Sequence, residues 1–203
     1  MRKYKIRLIE DNDAQAVLNI YAPYVLNTYI TFEYEVPPIE EFSQKIRTIS
    51  SQYPWLVCLQ NDRIIGNAYA SEHRHRTAYK WSPESTVYLS EDVYGKGIGT
   101  ILYSTLIEIL KLQGYFNVYA GVGIPNEKSE RLHRSVGFQE LGIFKKVGYK
   151  LGKWHDTKWF QLHLQDHIIN PEPPISIKGI SESPEFLTIL ERANDRINAN
   201  IEV

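Results

Sequence analysis

Gly95, Gly97 and Gly99 alternate through the run Val93-Tyr94-Gly95-Lys96-Gly97-Ile98-Gly99. An alternating stretch precedes them and a helical stretch comes after. Glycines at a strand-to-helix turn let the backbone approach an anion. The helix start adds free N–H groups and a partial positive charge. A phosphate or pyrophosphate is the natural ligand, and a ligand-free glycine turn is the plain alternative. A dinucleotide fingerprint would need glycine where Thr100 stands. A Walker loop needs Gly-Lys-Ser/Thr after four spacer residues, which Gly95-Lys96-Gly97 does not supply.

Glu84 lies just before the strand that leads into this turn. A carboxylate there is ordinarily a solvated surface group. Its functional reading is a general base: a protonated amine cannot attack until a proton leaves, and a carboxylate can take that proton, directly or through water. Ser129 and His133 are four residues apart on one helix face, with Asn126 at the helix start. Asn126 alone reads as an N-cap, and His133 alone as a packing histidine. Arg74 and Arg76 matter if an anionic substrate must be gripped bidentately. His73, His75, His155 and Asp156 lack a metal-ligand spacing, so no metal is expected. Cys58, inside an apolar strand, reads as packing.

Periodicity gives the surrounding elements. Ile6–Ile9 reads as a first strand. A helix from about Asp13 to Leu26 carries Val17, Ile20, Tyr21 and Tyr24 on one stripe, with Asp11 and Asp13 available as N-caps. Pro37-Pro38 opens a second helix running to about Ser50. Trp55–Leu59 and Ile64–Ala70 form a hairpin around Asn61-Asp62. His73–Lys80 is a polar, basic loop and Ser85–Ser90 a strand. The helix after the glycine turn carries Ile98, Ile101, Leu102, Thr105 and Ile109 and stops at Gly114. Phe116–Val122 is a strand, Asn126–Val136 a short helix, and Phe138–Val147 and Lys158–Leu164 two further strands. The class is mixed α/β with a central sheet.

The 203 residues suit one domain of about 1–165 with an extension over 166–203. Pro171-Glu172-Pro173-Pro174 reads as a stiff linker carrying the C-terminal residues away from the sheet. Beyond it, Phe186, Leu190, Ala193 and Ile197 sit at helical spacing, and Ser183-Pro184 suits a helix start. Such a helix is marginal alone in water. It is expected to dock on its own domain or on a second copy, away from any substrate pocket, with a frayed tail as the alternative. A net charge of −1 argues against nucleic acid or a membrane surface as partner. One cysteine excludes a disulfide framework. No long apolar run succeeds the N-terminus, so neither signal peptide nor membrane span is expected and the cytoplasm is the default.

Glu84 ahead of a strand, Gly95-Lys96-Gly97-Ile98-Gly99, and Asn126 with His133 seven residues on resemble the GNAT superfamily of N-acetyltransferases. Tyr53-Pro54-Trp55-Leu56-Val57, Ala78-Tyr79, Glu84-Ser85-Thr86-Val87-Tyr88, Gly123-Ile124-Pro125-Asn126, Arg131-Leu132-His133 and Trp154-His155-Asp156 narrow it. They resemble the branch that acetylates glutamate-like amino acids, over about residues 5–175.

The resemblance implies the GNAT fold, a mixed, mostly antiparallel sheet flanked by helices. It implies acetyl-CoA as co-substrate and direct attack by the free amine of phosphinothricin, methionine sulfoximine or methionine sulfone. Another small amine, a protein amine, or a non-catalytic acyl-CoA sensor are the alternatives. Glu84 would be the base and His133 the acid that protonates the departing thiolate. Gly95, Lys96, Gly97, Ile98, Gly99 and Thr100 would hold the pyrophosphate. Val87, Tyr88 and Leu89 would pair with the pantetheine arm, one N–H acting as oxyanion donor, with Asn126 and Ser129 also on the cofactor. Phe32, Arg74, Arg76 and Tyr79 would surround the acceptor, and a homodimer is implied. The chain departs from the pattern at Tyr94, where the superfamily usually has Arg or Gln, and at the extra histidines of His73-Arg74-His75-Arg76.

Overall fold

The computed structural model describes residues 3–200. Its sheet has seven strands: β1 Tyr4–Leu8, β2 Trp55–Gln60, β3 Arg63–Ser71, β4 Glu84–Leu89, β5 Asn117–Ile124, β6 Gln139–Lys150 and β7 Lys153–His163. They lie in the order β1-β2-β3-β4-β5-β7-β6. Every pairing is antiparallel except β4 with β5.

The helices are α1 Ala14–Asn27, α2 Ile39–Ile49, α3 Ile98–Leu112, α4 Glu127–Ser135, α5 Ile177–Ile180 and α6 Pro184–Asn200. One face of the sheet packs on α1 and α2 through Val17, Tyr21, Phe42 and Trp55. The other packs on α3 and α6 through Leu102, Leu106, Phe160 and Phe186. Each such buried side chain contributes about 1.5–3 kcal/mol.

Sequence and structure differ at several places. Asp11 and Asp13 start a short 3-10 turn rather than capping α1 directly, and the Asp13 carboxylate takes the Glu10 N–H and the Arg7 guanidinium. β7 begins at Lys153, five residues before Lys158, because Leu151 and Gly152 both adopt positive φ and close a tight hairpin. A bulge after Phe144, with Lys146 also at positive φ, breaks the alternation that marks a strand from sequence.

The proline linker does not stand off from the sheet. Trp81 Nε1 donates to Glu172 O at 2.9 Å, and Gln113 Nε2 donates to Gln52 O at 2.9 Å and Ile175 O at 2.7 Å. These bonds lead the chain to α5 and α6, which dock on the same core. Asn194 and Asn198, one turn apart on α6, act as a surrogate strand. Each carboxamide accepts an N–H from β1 and returns a donor to its carbonyl, Asn194 with Ile6 at 2.6 and 3.1 Å and Asn198 with Tyr4 at 2.9 and 3.0 Å. The edge of β1 is thereby closed.

Changing Asn194 and Asn198 together to Ala strips these partners from a half-buried strand edge. The expected cost is about 2–4 kcal/mol, a melting temperature lower by roughly 5–15 °C. A melting curve unmoved from that of the unaltered chain would show that the amides do not hold the edge.

Candidate active site

β4 and β5 share one register pair, Glu84 with Tyr119, and diverge beyond it. Backbone alternation then decides which groups face the divergence. Ser90 N–H bonds Ile65 O at 2.8 Å, on the β3 side, so every second residue back, Tyr88 and Thr86, also points to β3. The N–H groups of Val87 and Leu89 point the other way, into the divergence, with no strand opposite.

The Leu89 carbonyl, also on that side, accepts the Tyr24 hydroxyl at 2.6 Å, and Tyr24 is in turn bonded to the Tyr94 hydroxyl. Burial pushes the Tyr24 phenol well above its usual pKa range, so it remains a neutral donor. Tyr94 thus ties the glycine turn to α1 and β4, which is its place where an Arg or Gln was expected.

A cleft of about 1300 Å³ runs along this edge. Of the residues that the resemblance assigned to the cofactor, Val87, Tyr88, Leu89, Gly95, Gly97, Gly99, Thr100, Asn126 and Ser129 line it. Gly95 and Gly97 have φ of +76° and +77°, in the left-handed region, and nothing lies within 4 Å of where a Cβ would stand. Space for a ligand and a backbone only glycine adopts readily coincide there. Gly99 serves closeness instead: a Cβ would sit 3.1 Å from Leu89 Cδ1 and 3.5 Å from Leu132 Cδ2. Asn126 accepts the Ser129 N–H at 3.2 Å and caps α4. Lys96 and Ile98 do not line the cleft. Lys96 Nζ turns back to Asp92 O at 2.7 Å, and Ile98 is fully buried in the core.

On the other side of the divergence lies a smaller cavity, about 260 Å³, where Glu84 and Phe32 meet Phe144, Val147 and Trp159. Ile30 lines both spaces. The loop over residues 28–36 forms one wall and is held by side chains: Tyr29 stacks on His155 at 4.2 Å, and Lys150 Nζ donates to Thr31 O at 2.8 Å. The Phe32 ring lies over Gly148, where a Cβ would come within 2.4 Å of it.

Arg74, Arg76 and Tyr79 do not line this cavity. All three are exposed on the loop before β4, so the expected grip on an acceptor anion is not formed. His133 is also displaced from its expected role. It is 4% exposed, enclosed by Tyr103, Phe138 and Phe160, and lines neither space. Its Nδ1 lies 2.7 Å from Ser129 O. A carbonyl can only accept, so Nδ1 carries the hydrogen. Burial pushes its pKa below the usual value, partly opposed by that bond.

Sequence reasoning missed Trp159 and His73. Trp159 sits opposite Gly121 in the β5–β7 register, and the small residues Gly121 and Gly123 were the available signal for a cavity. Cys58, fully buried, has its thiol pushed up to about 12 by burial, as expected of packing.

The acetyltransferase (GNAT) domain family matches residues 6–159. The chain is 33% identical over 181 residues to a phosphinothricin N-acetyltransferase of Streptomyces viridochromogenes, covering 89% of this chain and 97% of that one. It is 31% identical to an L-methionine sulfoximine/L-methionine sulfone acetyltransferase of Salmonella typhimurium, covering 80% and 95%. A GNAT phosphinothricin acetyltransferase from Sinorhizobium meliloti, solved in complex with acetyl-CoA, superposes with a TM-score of 0.81 at 34% identity, over 85% of this chain and 95% of that one.

A buried neutral His133 has a testable consequence. Its folded pKa lies below its unfolded value of about 6.5, so the unfolded chain binds the extra proton first. Stability is full above that value and is lost as pH falls below it. His133→Phe should flatten the fall in stability between about pH 7 and 5 and leave turnover within a few-fold. A drop of two orders of magnitude or more would restore His133 as the proton donor. The match over residues 6–159, the relatives and the cleft beside the glycine turn agree: this chain belongs to the GNAT family of N-acetyltransferases.

Proposed function

We propose that the chain transfers the acetyl group of acetyl-CoA to the free amine of a small amino acid of the phosphinothricin, methionine sulfoximine or methionine sulfone kind. The observation that carries this is the placement of two functions on one strand. Glu84 opens β4 inside the smaller cavity, and the free N–H groups of Val87 and Leu89 close it along the larger cleft.

The cleft fits acetyl-CoA. Pantetheine amides pair with the open β4 edge, and the pyrophosphate lies against Gly95 and Gly97 at the start of α3. The acceptor occupies the cavity, its methylenes against Phe32 and Trp159. Both substrates are bound together. The acceptor ammonium gives a proton to Glu84, directly or through water, and the amine nitrogen attacks the thioester carbon. An N–C bond forms as the C–S bond breaks, and the second proton lost by the nitrogen passes to solvent or to the departing thiolate. Negative charge on the carbonyl oxygen is met by an N–H of Val87 or Leu89. A thiol pKa of about 8.5 makes the CoA thiolate a competent leaving group near neutral pH, so no proton is routed through His133.

The similarity to a phosphinothricin N-acetyltransferase and to an L-methionine sulfoximine/L-methionine sulfone acetyltransferase supports that acceptor class here. We also propose a homodimer. Leu141, Phe144, Val147, Leu151 and Trp154 are exposed on the β6–β7 hairpin, an apolar surface of the kind that pairs subunits. Sedimentation should show two chains, and a single chain at tens of micromolar concentration would remove this proposal.

Glu84→Gln keeps the side chain's shape but cannot accept a proton. Turnover, read as free CoA released with methionine sulfone, should fall by about two to four orders of magnitude. Acetyl-CoA affinity should hold. Turnover within a few-fold of the unaltered chain would take Glu84 out of the mechanism.

A further inference from the structure

The loop before β4 places His73 against Glu84. His73 Nδ1 lies 3.2 Å from Glu84 Oε2. The imidazole is held from three sides: it stacks on Tyr119 of β5 at 4.9 Å and 17°, and it meets Trp159 of β7 edge-on at 5.5 Å and Tyr79 of its own loop at 6.4 Å. Its side chain is 11% exposed. On the far side, Arg74 Nε donates to His73 Nε2 at 3.4 Å.

A guanidinium can only donate, so His73 Nε2 accepts and the ring hydrogen is on Nδ1. Nδ1–H then donates to Glu84. Glu84 Oε1 has no hydrogen-bond partner among the described residues, and Glu84 lines the cavity where the acceptor is proposed to bind.

We propose that His73 is a positioning residue for the base: it pins Oε2 of Glu84 and leaves Oε1 to take the acceptor's proton, with Arg74 fixing the tautomer from behind. This rests on the reading of Glu84 as the base. Chains of hydrogen bonds polarise one another, so the chain from Arg74 through His73 holds the Glu84 carboxylate more firmly than a lone bond would. The charged and titratable groups facing His73 are Glu84 on β4, Arg74 and Tyr79 on the loop, and Tyr119 on β5. Arg74 accordingly acts on the base rather than on the substrate.

Two variants separate positioning from packing. His73→Phe keeps an aromatic ring for Tyr119 but removes the donor. His73→Gln keeps a donor of similar reach and loses the ring. For His73→Phe, kcat is expected to fall about 10-fold, a typical worth of one hydrogen bond to a charged group. KM for acetyl-CoA should be unchanged. KM for methionine sulfone should hold as well, since the lost bond is made to the base and not to the acceptor. His73→Gln should recover most of kcat. An unchanged kcat in His73→Phe would overturn the proposal, as would losses in His73→Gln as large as those in His73→Phe. Glu84→Gln, assayed alongside, keeps the two readings apart. If it retains turnover the base itself is elsewhere; if it abolishes turnover while His73→Phe behaves normally, only the positioning role fails.

Discussion

The single register pair between β4 and β5 sets the geometry of both the cleft and the smaller cavity. Parallel strands normally continue to exchange hydrogen bonds, and these two stop after Glu84 and Tyr119. The backbone donors so released cost little because they face a cleft rather than an apolar interior. Holding the strands apart needs support from both sides. Tyr24 and Tyr94 anchor the end of β4 through Leu89 O, and β7 binds β5 along its other edge from Asn117 to Ile124. Gly99 lets α3 come close to Leu89 and Leu132, so the helix start, the strand end and α4 converge on one place.

The smaller cavity is built differently. Residues 28–36 form no regular element and are ordered by contacts to β6 and β7. Lys150 is buried at 3% exposure, with its ammonium on Thr31 O. Burial lowers its pKa and the nearby Glu33 carboxylate opposes that. The loop, Phe32 and Glu84 can therefore form an apolar pocket with one carboxylate in it. Such a surrounding suits the role proposed for Glu84.

The strand, glycine turn and helix over residues 84–112 were legible because each step has a local cause: alternation, positive φ, then a 3.6-residue stripe. Most of the expected residues that line the larger cleft came with that frame, and Phe32 and Glu84 do share a cavity. What stayed hidden depends on distant partners. The fate of His133 is set by Tyr103, Phe138 and Phe160, contributed by α3, the turn before β6, and β7. Nothing local tells a packed histidine from an acid. Arg74 has the chemistry to grip an anion, and only the fold shows it behind His73. The tail's apolar stripe was readable, whereas the pairing of Asn194 and Asn198 with β1 joins residues at opposite ends of the chain.

Everything proposed for the reaction requires the open edge of β4 to receive the co-substrate. Amide hydrogen exchange at Val87 and Leu89, followed with and without acetyl-CoA, tests this at the atoms concerned. Both amides should exchange readily in the free chain and become protected on binding, while Thr86 and Tyr88, already paired with β3, should be protected in both states. Saturation with acetyl-CoA that leaves Val87 and Leu89 exchanging as before would contradict it.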